Sequence, residues 1–409
     1  MSVRKRNWTT SADEAKFAWI VDYVDTKGKR RQKTFARKRD ADNFAATARV
    51  EVREGVHVAD RESSTVQVAG ELWYSSSEAA GLERSTLVGY HSHLHLHIIP
   101  IIGKMKLNAL SIPTIRSFED RLREEGRSAN LVKKVRISLG SILADAQERG
   151  LTSRNVIREM RARRKTGERR REQRQKGRLK VGVDIPLPSE IKAIVGRLHG
   201  RWRPLLLTLI LEGLRSSEMR GLRWIDVDFE KREIRVHQRA DAYNKIGKPK
   251  SLAGERTIPM ASMVYHALSE WKLICPRRDT GKFDLNGNRV MELDLVFPNG
   301  RGNVEQRNNI VKRGFQPIQI AAGVIVEVED ADGNIQVKAK YPGLHTLRHF
   351  YASWCINRKR DGGLELPPKI VQERMGHSSI SMTMDTYGHL FPGGDDDGEM
   401  EDAENALLQ

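Results

Sequence analysis

Residues 161–180, RARRKTGERRREQRQKGRLK, carry 11 basic and 2 acidic side chains and present no apolar face. A stretch with nothing to bury cannot be threaded through a core. A chain of 409 residues that contains one must therefore fold as separate bodies on either side of it. The segment 161–184 reads as a linker. A linker of this charge would also follow the backbone of a polyanion.

The part before the linker divides again. Residues 1–60 read as a small β-plus-helix module. Phe17 to Val24 forms a strand, Thr26 to Lys29 a turn, Arg31 to Phe35 a returning strand, and about Arg39 to Arg53 a helix of alternating charge. The module holds 14 basic and 9 acidic residues, which fits either a solvated surface or a sheet that contacts DNA. Residues 64–160 read as all-α, with helices over Val66 to Tyr74, Ser85 to His97, Ile112 to Glu125 and Ala129 to Arg149. The last shows apolar positions at Leu131, Val135, Leu139, Ile142, Leu143 and Ala146 and stops at Gly150.

From 185 to 392 the pattern is mixed α/β and mainly helical. Pro204 to Glu212 is an apolar helix ending at Gly213. Glu233 to Arg239 alternates as a strand with Thr257 to Met260 as its partner, and Val324 to Lys338 reads as a hairpin turning at Asp330 to Asn334. The tail 393–409 has seven acidic and no basic residues, a composition that stays mobile for much of its length.

Lys plus Arg is 71 against 53 Asp plus Glu, a formal net charge of +18, which suits a polyanionic partner. No apolar run approaches the roughly 20 residues of a membrane span, and the basic start is followed by no apolar stretch of signal-peptide type. The two cysteines, Cys275 and Cys355, make neither a disulfide framework nor a CxxC metal site. The expectation is a chain of the reducing bacterial cytoplasm, associated with the nucleoid and not with a membrane.

Four segments carry chemistry. They are Leu211 to Glu218 running on to Trp224, Lys250 to Pro259 (KSLAGERTIP), Gly343 to His349 (GLHTLRH), and Met375 to Ser379 followed by Asp385 to Leu390 (MGHSS, DTYGHL). Phosphodiester cleavage builds a five-coordinate phosphorane with extra charge on its nonbridging oxygens. Arginine supplies a planar fork that stays charged against it. Arg215 follows a helix end at Gly213 and precedes Ser216, a plausible cap of the next helix. Arg348 lies three residues after His345, so on a helix the two face one way. His377 follows Gly376 and can donate a third hydrogen bond. A tyrosine hydroxyl has an ordinary pKa near 10, so Tyr387 needs cationic neighbours and a proton acceptor such as His345.

Together these segments resemble the catalytic domain of the tyrosine recombinase (phage integrase) family. Glu212 to Glu218 matches its TGLRxSE motif with Glu212 for the usual Thr, and His345 to His349 matches HxLRH. The GHSS…Tyr segment matches with Met375 for the usual Leu. The resemblance covers residues 185–392, and the helical module before it resembles the family's core-binding domain. It implies a multidomain fold of three parts: an N-terminal arm-type DNA-binding domain, a helical core-binding domain and a catalytic domain of tyrosine recombinase type. It further implies a site-specific recombinase that joins Tyr387 to a DNA 3′-phosphate, frees a 5′-hydroxyl and rejoins it to a partner strand. Arg215, Arg348, His345 and His377 serve the phosphate and the proton, Lys250 is the acid for the departing oxygen, and Glu218 orients Arg215 or a histidine. No cofactor or metal is implied. The expected partners are double-stranded attachment-site DNA and three further copies in a homotetramer, with accessory DNA-bending or directionality proteins in addition. The task expected is integration or excision of a prophage or other mobile element.

Two other readings compete, a type IB topoisomerase and a non-catalytic DNA-binding protein. The intact set of six catalytic side chains speaks against the second. Tyr243, Tyr341 and Tyr351 are rival tyrosines, but none follows a GHSS segment, and His349 reads as structural. His91, His93, His95 and His97 fall at i, i+4 spacing. No carboxylate lies among them, so they read as a helix face rather than a metal site.

Overall fold

The computed structural model describes residues 1–9, 15–160, 178–330, 333–392 and 399–408. It divides into two compact units, Met1–Arg164 and Lys165–Gln409. Most of the basic linker (161–177), the first residues of the acidic tail (393–398) and two residues at the turn of the 324–338 hairpin (331 and 332) lie outside the described residues.

In the first unit, β1 (Ser2–Thr9), β2 (Ala15–Val24) and β3 (Arg30–Phe35) form an antiparallel sheet in that order. The edge strand β1 was not expected from sequence. None of its residues is buried, so no apolar alternation marks it. It is held by its ladder to β2 and by Arg4 Nε on the Asp22 carboxylate at 2.7 Å. Helix α1 (Lys38–Arg53) covers the sheet with Ala41, Ala45 and Ala48, spaced for one helical face.

The helical module follows as α2 (Val66–Ala79), α3 (Arg84–Ser92), α4 (Ile99–Ile102), α5 (Ile112–Glu124), α6 (Ala129–Glu148) and α7 (Val156–Glu159). Thr65, Ser111 and Ser128 cap α2, α5 and α6 through their hydroxyls. The second helix runs past His97 through a π turn, His93–Ile98, into α4. Pro100 lacks an N–H and crowds the carbonyl four residues back, which loosens the ladder there. The two modules keep separate apolar clusters. Glu51 ties them together, accepting from Ser153 Oγ at 2.8 Å and meeting His57 Nδ1 at 2.8 Å.

The second unit is built around α9 (Trp202–Glu212), which follows α8 (Pro188–Val195). Helix α9 is buried nearly all round, with Leu205, Leu206, Leu209 and Ile210 in the core. That burial is what its unbroken apolar run demands. Next come α10 (Ser216–Gly221), β4 (Val227–Asp228), β5 (Glu233–Val236), β6 (Arg239–Ala240), β7 (Ile246–Gly247) and β8 (Arg256–Pro259). Strand β5 pairs antiparallel with β8, Ile234 opposite Ile258, in a sheet of order β4-β5-β8.

After α11 (Ser262–Ile274) stands a hairpin the sequence did not announce, β9 (Arg278–Phe283) and β10 (Arg289–Glu292). Its strands bury no side chain, so they leave no alternation to read. Helices α12 (Arg307–Asn309) and α13 (Gln316–Ala321) lead to the expected hairpin, β11 (Ile325–Glu329) and β12 (Ile335–Ala339). Then come α14 (His345–Ile356), α15 (Pro368–Met375), α16 (Ile380–Tyr387) and α17 (Glu399–Leu408). The end of the expected linker belongs to this unit. Leu179 packs against its core and accepts a hydrogen bond from His389 Nε2 at 2.8 Å. An apolar side chain there gives the segment something to bury.

Candidate active site

Two left-handed glycines set the site. Helix α9 ends at Gly213, with φ +60°, and a Cβ there would lie 2.1 Å from the Tyr351 ring. Only glycine meets both demands. Helix α15 ends the same way at Gly376, with φ +61°, where a Cβ would lie 2.8 Å from the Arg256 guanidinium. The first turn delivers Arg215 and the second delivers His377. Ser216, expected as the cap of α10, is its first residue, and Arg215 holds the cap position. The Glu218 carboxylate does the capping instead, accepting the Arg215 backbone N–H at 2.9 Å. Three residues into the helix, a carboxylate can reach back where the short Ser216 side chain does not.

Around this frame the structure gathers Arg215, Glu218, Arg348, His377 and Tyr387. Arg348 is 2% exposed. It donates from Nη1 to the Gly213 carbonyl at 2.6 Å and from Nη2 to the Met375 carbonyl. Arg215 donates from Nη1 to Glu218 at 2.6 Å and from Nη2 to the Gly376 carbonyl at 2.9 Å. Both guanidinium groups are thus pinned to the turns that deliver the site, and each keeps further N–H groups for a ligand. His377 is buried, with Nδ1 against the buried Thr383 hydroxyl at 2.9 Å. Its ring lies parallel to Tyr387, 6.2 Å between centroids.

Three side chains outside the expected set complete the cluster. Arg256 forks both Glu218 oxygens, at 2.9 and 3.2 Å, and donates to the Arg374 carbonyl. Its place two residues before the buried Ile258 on β8 puts it on the inward face of that strand, a signal the sequence offered. Thr383 holds His377. His349 meets the Tyr387 hydroxyl with Nδ1 at 2.8 Å, where a structural side chain was expected. His345 opens α14, exposed to solvent, with its ring edge-on to His349 at 4.6 Å. Lys250 is exposed in the loop between β7 and β8, just before the short turn Leu252–Gly254.

The electrostatics follow from burial set against three guanidinium charges. Burial raises the Glu218 carboxyl, but Arg256, then Arg215 and Arg348, outweigh it and hold the group at about 2. Burial pushes the Tyr387 hydroxyl up to about 12, although Arg348 and Arg215 pull it down. Burial, with Arg348 and Arg215 adding to it, brings His377 down to about 4. Burial, with His345 and Arg348, does the same to His349. His345 also lies below its ordinary value, through the protein mass around it and the Arg348 and Arg215 charges. The histidines therefore stay neutral near pH 7, while the cluster of three arginines and one carboxylate carries a net charge of +2.

Two of the rival tyrosines and three of the four histidines from His91 to His97 are otherwise engaged. Tyr341 donates to Glu190 at 2.6 Å, and Tyr351 packs on Gly213. His93 meets Ser138 at 2.8 Å, His91 stacks on His95, and His97 is buried. Among the described residues no group of three or more His, Cys, Asp or Glu gathers as ion ligands.

The sequence profile of the phage integrase family matches residues 188–393, just over half the chain. The chain belongs to the phage integrase family. As a tyrosine recombinase of that family it is an enzyme that breaks and rejoins DNA. A tyrosine recombinase XerC-like protein of Caldanaerobacter subterraneus subsp. tengcongensis is 25% identical over 95% of this integrase-family chain and 96% of its own length. The transposase from transposon Tn916 of Enterococcus faecalis is 29% identical over 45% of this chain and 41% of its own. Among solved structures, a Tn1549 transposon integrase in complex with transposon right-end DNA matches with TM-score 0.60 at 19% identity, covering 84% of this chain and 100% of that one. A lambda integrase tetramer bound to a Holliday junction matches with TM-score 0.53 at 15% identity, over 92% and 96%. These likenesses show that the fold is that of the integrases. Among the described residues no helix is long and apolar enough to cross a membrane.

Proposed function

We propose that this recombinase integrates or excises a mobile element by attack of Tyr387 on a DNA phosphate. The attack leaves a 3′-phosphotyrosyl bond and a free 5′-hydroxyl, which is then joined to a partner strand. The observation that carries the reading is the buried cluster itself, in which Tyr387 shares one site with Arg348 and Arg215. Its net +2 matches the charge of the phosphorane that tyrosinate attack on a phosphodiester creates. Fixed donors in a site of low polarity stabilise such charge without reorganising.

In this scheme Arg215 and Arg348 hold the two nonbridging oxygens with the N–H groups their carbonyl partners leave over. The Thr383 hydroxyl, donating to His377 Nδ1, fixes the tautomer that carries its proton on Nε2, and that nitrogen becomes the third donor. Glu218 keeps the arginines charged and in place, and Arg256 balances Glu218 from behind. His345, at the exposed start of α14, meets the phosphate from the solvent side. Lys250, on its loop, supplies the proton to the departing 5′-oxygen.

The module 1–60 serves as an arm-type DNA-binding domain, 64–160 as the core-binding domain and 185–392 as the catalytic domain, with the basic linker 161–184 joining the last two and its end, at Leu179, packed onto the catalytic core. Double-stranded attachment-site DNA is the substrate. The working form in this scheme is a homotetramer on two duplexes, a reading supported by the lambda integrase tetramer bound to a Holliday junction. Relatives encoded by transposons support the mobile-element task.

The test is a nicked suicide duplex spanning the element's own end, read as a covalent adduct on a denaturing gel. Tyr387→Phe is expected to bind it normally and form no adduct. Arg348→Ala is expected to slow adduct formation by about 100-fold or more while binding falls far less. An adduct of normal yield from Tyr387→Phe would overturn the assignment.

A further inference from the structure

The Tyr387 hydroxyl has to lose its proton as it attacks, and the structure leaves little choice about where that proton goes. Tyr387 is 2% exposed, so bulk water is not there to take it. His377 lies parallel to the phenol ring with its Nδ1 engaged by Thr383. His345 is exposed at the first turn of α14. One turn further along the same face, His349 places Nδ1 2.8 Å from the hydroxyl. That is hydrogen-bond reach for a proton acceptor.

We infer that His349 is the general base that takes the Tyr387 proton during cleavage and returns it during rejoining. The inference rests on the reading of Tyr387 as nucleophile. In the forward step the Tyr387 Oη–H proton passes to His349 Nδ1, the Oη–P bond forms and the P–O5′ bond breaks. The 5′-oxygen takes its proton from the acid on the opposite side. In the reverse step the 5′-hydroxyl returns its proton to the acid that supplied it and attacks phosphorus, the Oη–P bond breaks, and Tyr387 leaves with the proton that His349 held.

The surroundings make this base depend on DNA. His349 faces His345 and Arg348 from its own helix, Asp184 from the segment before α8, and Tyr387 from α16. Burial and the first two disfavour its imidazolium, and Asp184 alone favours it. In the resting protein the ring is a neutral acceptor and the proton stays on tyrosine. A bound phosphate adds negative charge that offsets Arg348. Attack also moves the phenolate charge onto oxygens held by the arginines. Both changes favour imidazolium only when the scissile phosphate is in place, so the nucleophile is switched on by its substrate.

The experiment uses the full chain and the same nicked duplex, with single-turnover adduct formation followed from pH 6 to pH 10. His349→Asn keeps a polar side chain that cannot take a proton in this range, and His349→Phe keeps a ring. Both are expected to bind DNA like the parent chain. At pH 7 each should form adduct about 100-fold more slowly or worse. Their rates should climb with pH toward the ionisation of tyrosine itself, where the parent chain has levelled off. Rejoining should slow by a similar factor. A parent-like rate or pH profile in His349→Asn would overturn the inference, as would a loss whose size stays the same from pH 6 to pH 10. Faster adduct formation in His349→Phe would also overturn it, marking His349 as a latch. An adduct that maps to a residue other than Tyr387 would instead strike the underlying reading, so the two failures are told apart.

Discussion

The segment that leads from α9 into α10 has a glutamate at each end, and the two respond to burial in opposite ways. Glu212 is 1% exposed and Glu218 3%. Glu212 receives one hydrogen bond, from the Ala261 N–H at 2.8 Å, while its other oxygen is buried without a hydrogen-bond partner. Burial raises its carboxyl to about 8, against the pull of Ala261 and Arg374. Glu218 is equally buried but has Arg256 and Arg215 on its oxygens, and it is held at about 2. Burial alone therefore does not mark a functional carboxylate. What distinguishes Glu218 is that one of its two guanidinium partners, Arg215, is proposed to meet the phosphate, whereas Glu212 merely ties the end of α9 to the start of α11.

The sharpest way to break this comparison is to remove the paired acid. Glu218→Ala would leave three buried or half-buried guanidinium charges without a counter-charge. Loss of about 3–5 kcal/mol of stability is expected, the range for orphaning a buried ion pair, together with an adduct rate down by about 100-fold or more. Thermal unfolding and the nicked-duplex assay read the two. Glu218→Gln keeps an acceptor for the Arg215 N–H and removes only charge. Parent-like activity in that variant would mean that charge is not what separates the two glutamates.

Next in size is Arg256→Lys, which keeps the cation but loses the fork across both carboxylate oxygens. About a tenfold slower cleavage is expected. The acid limb of stability should move too. Glu218 lies below its ordinary 4.5 in the fold, so its contribution is complete above that pH and is lost as pH falls toward 2. Weakening its chief partner raises the folded value and moves the onset of acid unfolding to higher pH. An unchanged acid limb would show that Arg256 does not hold Glu218 ionised.

Much of this site was legible in the motifs, because the cleavage chemistry demands arginines, a histidine and a tyrosine at fixed spacings. Arg215, Arg348, His377 and Tyr387 come together around the two left-handed glycines. What the motifs left out are the side chains that act on other side chains. Arg256 reads as one more basic residue in a basic chain until β8 turns it inward onto Glu218. His349 reads as a neighbour of Arg348 until α14 and α16 bring it to the Tyr387 hydroxyl. The fold shows the same division. Helices that bury side chains leave a mark in the sequence, a period in α6 and an unbroken apolar run in α9, whereas β1, β9 and β10 bury nothing and leave none. The π turn before Pro100 was equally silent, since the apolar period runs on through it.

The smallest effect expected on cleavage is at the unpaired acid, and it tests the other half of the comparison. Glu212 has a folded value of about 8, above its ordinary 4.5. Below pH 4.5 it is neutral in both folded and unfolded chains and costs nothing. Between 4.5 and about 8 the unfolded chain ionises and the folded one does not, so stability falls as pH rises, and above about 8 the penalty is constant. The span corresponds to an upper limit of roughly 4–5 kcal/mol, and relaxation around the unpartnered oxygen will reduce it. Glu212→Gln keeps an oxygen for the Ala261 N–H and cannot ionise. It is expected to unfold like the parent chain at pH 5, to be more stable at pH 9, and to cleave at the parent rate at pH 7. A stability change of equal size at both pH values would mean that Glu212 does not titrate as a buried, unpaired acid. Slower cleavage at unchanged stability would place Glu212 in the site after all, acting through the Gly213 carbonyl that holds Arg348, and the contrast between the two glutamates would fail.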